Sequence, residues 1–136
     1  MKYIFTLIIF LFSLSVFAQQ KPKQNQYILI VRLKADIKAS QDEIKTNISH
    51  WMAYMGDLGK NGKIAGGYRL PTDGVTINGP DRKETASPYI ANGEMVSSFL
   101  IINAADLTEA KQIAAKCPVF ELGGNVEIRA IQNTAN

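Results

Sequence analysis

The apolar positions of this chain keep two different periods, and their alternation sets out its elements. Tyr27-Ile28-Leu29-Ile30-Val31-Arg32-Leu33 is a nearly unbroken β-branched and apolar run, the pattern of a strand covered on both faces at the centre of a sheet. Ser40-Gln41-Asp42-Glu43 then has capping-box spacing: the Ser40 hydroxyl can accept from the Glu43 backbone N–H while the Glu43 side chain reaches back. A helix is expected from there, carrying Ile44, Ile48, Trp51, Met55 and Leu58 on a stripe about 80° wide and ending near Gly59 to Gly62. Ile64 to Leu70 reads as a second strand in which Gly66-Gly67 imply a bulge or a close backbone approach, and Pro71 closes it. Val75 to Ile77 is a short strand candidate, whereas Gly79 to Pro88 has no hydrophobic period and reads as a polar loop. Glu94 to Asn103 is the next strand. Asp106-Leu107-Thr108-Glu109 opens a second helix with Leu107, Ala110, Ile113 and Ala114 on one face, stopped by Pro118. After Gly123-Gly124 comes a last strand with Val126, Ile128 and Ala130 directed inward.

The order β-α-β-β-α-β predicts an α+β fold of the ferredoxin-like kind, an antiparallel four-stranded sheet with both helices on one face. Such a sheet leaves its second face bare. A second copy of the chain is the expected cover, which makes a homodimer the expected assembly.

Composition divides the chain before it describes it. Apolar residues make up 46% of the whole, but 14 of the first 18 residues are apolar, and without them the share falls to about 42%, ordinary for a globular domain. Lys2, the apolar run Tyr3 to Phe17 and the small residue Ala18 have the form of a secretory signal, with cleavage expected before Gln19. A run of about 15 residues rises only ~22 Å as a helix, short of a ~30 Å hydrocarbon core, so a membrane anchor is the weaker reading. The expected organisation is therefore a signal peptide at 1–18, a polar tail at 19–26, one domain at 27–132 and a short tail at 133–136. The mature chain is expected to be periplasmic or extracellular, with no stable membrane association. With Lys2 removed, 14 basic residues face 12 acidic ones, a surplus too small for a nucleic-acid-binding face. The single cysteine, Cys117, cannot close an internal disulfide and reads as a small buried residue at a helix end.

Several segments together resemble a known family. Ala115-Lys116-Cys117-Pro118 followed by Gly123-Gly124-Asn125-Val126-Glu127-Ile128-Arg129 is similar to the closing segment of the YCII-related proteins, in particular their DGPF branch. Ile64-Ala65-Gly66-Gly67 with Leu70 and Pro71 resembles the family's second strand, and His50 falls where members carry a histidine on the first helix. The resemblance spans roughly residues 27–131 and implies a dimeric α+β barrel. It also implies a cleft in which a histidine meets an aspartate, with lyase, isomerase and dehalogenating relatives. The acidic positions of the pattern are empty in this chain. The DGPF tetrad falls on Ala86-Ser87-Pro88-Tyr89, and the aspartate that the other branch carries before the proline is Cys117.

His50 is the one histidine and lies about 120° from the centre of the helix stripe, at its border or outside it. An imidazole titrates near neutrality and suits general acid/base work if a cleft surrounds it. Tyr54, one turn on, shares that side. Glu94, Asp73 and Asp81 are the acids that folding could bring near, and Tyr68-Arg69 follow the glycine pair where an arginine could hold an anion. One His and one Cys, far apart, make no zinc site, and no acidic run has calcium-loop spacing, so neither metal nor cofactor is expected. Asn47-Ile48-Ser49 matches a glycosylation sequon, but inside a predicted helix it reads as chance. Two functions remain: a dimeric small-molecule-binding or structural module, or a lyase-, isomerase- or hydrolase-type enzyme using His50 on a small polar substrate. Contact between His50 and a carboxylate in a closed pocket would favour the enzyme.

Overall fold

The computed structural model describes residues 24–132; the expected signal segment, most of the polar tail and the last four residues lie outside that range. Eight regular elements follow in order: β1 (Asn25–Lys34), α1 (Gln41–Lys60), β2 (Ile64–Arg69), β3 (Thr76–Asn78), β4 (Lys83–Thr85), β5 (Glu94–Ala104), α2 (Leu107–Ala114) and β6 (Asn125–Ala130). A 3-10 turn, Pro118–Leu122, joins α2 to β6. The four long strands form one sheet in the order β2-β5-β1-β6, every neighbouring pair antiparallel. This α+β architecture is consistent with the ferredoxin-like arrangement expected from the sequence.

The capping box forms as the sequence requires. Ser40 Oγ accepts from the Glu43 N–H at 3.2 Å and Glu43 Oε2 accepts from the Ser40 N–H at 2.7 Å, so α1 starts at Gln41. It ends where Asn61 returns its N–H to the Asp57 carbonyl and Gly62 takes φ +64°, which a side chain resists.

Alternation places every second residue of the sheet under the helices. Tyr27, Leu29 and Val31 of β1 and Leu100, Ile102 and Ala104 of β5 are buried against Tyr54 and Leu58 of α1 and Ala110, Ile113 and Ala114 of α2. Leu29, Val31, Ile102 and Val119 are the largest side chains sealed completely, each contributing about 1.5–3 kcal/mol of burial.

Four details differ from the sequence reading. The β1 run is covered on one face: Ile28 and Ile30 are half-buried, as are Phe99 and Ile101 beside them on β5, since no described element packs over that side. The buried line of α1 is Asn47, Tyr54 and Leu58, whereas Ile48 is 45% exposed. A hydrogen bond from Asn47 to the Pro118 carbonyl turns that polar residue inward, which a count of apolar positions cannot register. Leu107 is likewise exposed at the start of α2. The segment read as a polar loop contains β4, which pairs with β3 through Thr76↔Thr85, Ile77↔Glu84 and Asn78↔Lys83. Its residues are all exposed, so no hydrophobic period marked it.

Candidate functional site

Where α1 stands over β2 and the start of β5, the side chains leave a groove of about 480 Å³. Its floor depends on Gly67, which pairs with Leu100 on the helix-facing side of the sheet. A Cβ at Gly67 would lie 2.7 Å from the Phe99 carbonyl oxygen and 2.8 Å from Leu100 Cδ2, so β2 can run this close to β5 only with glycine there. The expected irregularity is also present, as a register shift between Ile64 and Gly66. The helix wall is Ile44, Ile48, Trp51, Met52 and Met55. Met95 joins them from β5, so every methionine beyond Met1 lines this groove. Thioether side chains are flexible and polarizable and mould to apolar ligands. Arg69 of β2, Ser98 of β5 and Lys34 at the end of β1 supply polar groups, and among the described residues no acidic side chain lines the groove.

On the adjoining side of α1, His50 meets a carboxylate that neither the residue pattern nor the family resemblance had nominated. His50 Nδ1 is 2.9 Å from Glu121 Oε1, and the other carboxylate oxygen accepts from Asn47 Nδ2 at 2.9 Å. A carboxylate can only accept, so Nδ1 carries the proton in this pair and Nε2 is left as the basic nitrogen of a neutral ring. The hydrogen bonds from His50 and then Asn47 hold the Glu121 carboxyl below the ordinary glutamate value. Asn47 is itself buried and donates to the Pro118 carbonyl at 2.7 Å, which fixes the 3-10 turn carrying Glu121 beneath α1. With Nδ2 buried and donating twice, this fold leaves no room for a glycan on the Asn47 sequon. The His50 side chain is about half exposed, and it lines neither the groove nor the smaller cavity of about 190 Å³ beside Tyr54 and Glu109.

The remaining candidates are dispersed. Tyr54 does not share a cleft with His50: it is buried, its hydroxyl donates to the Ile113 carbonyl at 3.1 Å, and its ring meets Trp51 edge-on at 5.8 Å. Glu94 turns to Asn125 at 2.8 Å and Lys34 at 3.4 Å rather than to His50. Tyr68 borders the groove, but its ring leans on Phe99 on the open face of the sheet, 5.9 Å between centroids. Arg69 alone among them presents to the groove a charge that forms no ion pair among the described residues. Asp73 and Asp81 lie exposed on the excursion between β2 and β5 and form no ion pair among the described residues.

The family's domain description, YCII-related domain, matches residues 28–134, well over half of the chain. The chain belongs to the YCII-related family. A comparison with curated proteins gives no match, so the membership rests on that domain. For a YCII-related domain the position of Cys117 is informative: it is buried, and burial pushes its thiol up to about 11, so it offers no carboxylate and no reactive sulfur. The carboxylate that meets His50 is that of Glu121, four positions later. The signal that could have found it was the spacing of Asn47 and His50, one turn apart on α1 and therefore able to hold one group together.

Proposed function

We propose that this protein is an exported, DGPF-like YCII-related domain that acts as a homodimer and binds a small apolar molecule in the groove between α1 and the β2/β5 end of its sheet. The observation that carries this reading is the groove itself. Its volume of about 480 Å³ falls within the roughly 300–1,000 Å³ of small-molecule sites, and it has their make-up, an apolar wall with few polar groups. The dimer is supported by the open sheet face, where Ile28, Ile30, Phe99 and Ile101 form an apolar centre beside the Arg32–Glu127 ion pair at 2.7 Å.

A second reading, an enzyme using His50 as general base, is favoured by the Glu121 contact, since a carboxylate on Nδ1 fixes the tautomer that leaves Nε2 free to take a proton. It stands second because His50 and Glu121 line neither the groove nor the smaller cavity.

One experiment separates the two. A thermal-shift screen of small molecules is run on the wild type, on Met52→Glu in the groove wall and on His50→Ala. Met52 is 73% exposed, so the charge is tolerated by the fold while it spoils the groove. A ligand at 100 times its Kd adds about 2.7 kcal/mol to stability. Stabilisation lost in Met52→Glu and kept in His50→Ala supports the binding module; the reverse pattern overturns it in favour of the dyad. Sedimentation of the wild type and of Phe99→Asp tests the dimer, which requires the wild type to sediment as two chains and the variant as one.

A further inference from the structure

We infer that the ligand of the groove is an apolar organic anion, its head group held between Arg69 and Ser98 and its tail laid along the methionines of α1. This rests on the groove being the binding site. Arg69 and Ser98 are direct partners in the β2–β5 register, side by side on the helix-facing side of the sheet, and both line the groove. Arg69 makes no ion pair and Ser98 no side-chain hydrogen bond among the described residues, so a guanidinium fork and a hydroxyl donor stand together with nothing of the chain's own to satisfy them. The neighbouring cation is already compensated, because Lys34 lies 3.4 Å from Glu94. Among the described residues no Asp or Glu lines the groove to neutralise a cationic ligand, and a neutral one would leave Arg69 to water.

The tail end has a different chemistry. Met52, Met55 and Met95 with Trp51 form a soft apolar wall that adapts to the shape of an aliphatic or aromatic chain rather than selecting one outline. Charge at one end and adaptable apolar surface along the rest describe an amphipathic carboxylate or a similar acid.

Octanoate, 1-octanol and octylammonium share a tail and differ in head charge, and calorimetric titration of each into the full-length mature protein tests the assignment. Octanoate is expected to bind at least about fivefold tighter than octanol, a discount on a fully desolvated charge-assisted bond because Arg69 is exposed, and octylammonium weakest. Arg69→Gln removes the preference for octanoate and leaves octanol binding unchanged; Ser98→Ala reduces it by about two- to threefold. Equal binding of octanoate and octanol, or an Arg69→Gln variant that keeps the preference, overturns the anion assignment while the groove stands. If none of the three binds, or Met52→Glu binds all three as well as the wild type, the groove reading itself fails. Circular dichroism of each variant confirms that the fold is retained.

Discussion

His50 Nδ1 sits 2.9 Å from Glu121 Oε1, a contact between residues 71 apart in sequence that α1 and the 3-10 turn bring together. The direction of its effect is fixed by the groups around the carboxylate. His50 and Asn47 both donate to it, so Glu121 titrates below an ordinary glutamate. Carboxyl carbon NMR should find its midpoint below that of an exposed glutamate, and His50→Ala should move it back upward, since the largest of the two hydrogen bonds is then gone. An unchanged midpoint in that variant would mean the contact does not persist in solution.

Asn47 is the only buried polar side chain among the described residues, and it ties α1 to the Pro118 carbonyl and to Glu121 at once. Asn47→Ala leaves a buried carbonyl without its donor and should cost about 1–3 kcal/mol in urea unfolding. Asn47→Asp should cost more: a carboxylate cannot donate to Pro118 and repels Glu121. If the Asp variant proved as stable as the wild type, the bond would have no structural weight.

These two residues mark where the sequence stops being legible. The capping box at Ser40, the closing of β2 at Pro71 and the inward packing of Val126 and Ile128 are local, so spacing alone located them; Ala130, expected inward with them, is exposed at the end of β6. The open side of the sheet was anticipated from topology, although β1 taken by itself reads as covered on both faces: Ile28 and Ile30 are as apolar as Leu29 and Val31, and composition cannot tell which face meets a helix. Of the β3–β4 hairpin, β3 overlaps the candidate strand Val75 to Ile77, whereas β4 leaves no hydrophobic period because all its residues are exposed. In the candidate site, Arg69 could be nominated from its place after the glycine pair. Glu121 is harder to reach, because its approach to His50 depends on a polar residue, Asn47, turning inward, and the one-turn spacing of Asn47 and His50 is its only local trace.

Two glycines should respond to the same substitution with opposite signs. A Cβ at Gly124 would collide with the Val119 side chain and the Arg32 carbonyl, so Gly124→Ala should destabilise by about 1–3 kcal/mol. At Gly56, inside α1, nothing lies within 4 Å of an added Cβ and the backbone is helical, so Gly56→Ala should stabilise by about 0.5–1 kcal/mol. Thermal melts of the two variants check both; a destabilised Gly56→Ala would mean that its face of α1 is covered in solution.

Stability should fall away on both sides of neutrality, for reasons of opposite sign. Glu43, Glu94, Glu109 and Glu121 are all held below the ordinary glutamate value, first of all by side-chain hydrogen bonds from Ser40, Asn125, Lys63 and His50 respectively. Their folded forms release protons more readily than the unfolded chain, so the stability they add is complete above the unfolded glutamate value, near pH 4.5, and is lost as pH falls through the lower folded values. Tyr54 and Cys117 act in the other direction. Burial raises both, Cys117 to about 11 and Tyr54 further, and a charge on the thiolate would raise Tyr54 more. The folded state then holds protons that the unfolded chain gives up, and stability is lost as pH rises past the ordinary thiol value near 9 toward 11. Urea midpoints measured from pH 3 to 11 should therefore describe a plateau with two falling limbs. Cys117→Ala should flatten the alkaline limb and leave the acid limb in place, and Glu109→Gln should do the reverse. An alkaline limb unchanged in Cys117→Ala would assign that loss to Tyr54 alone.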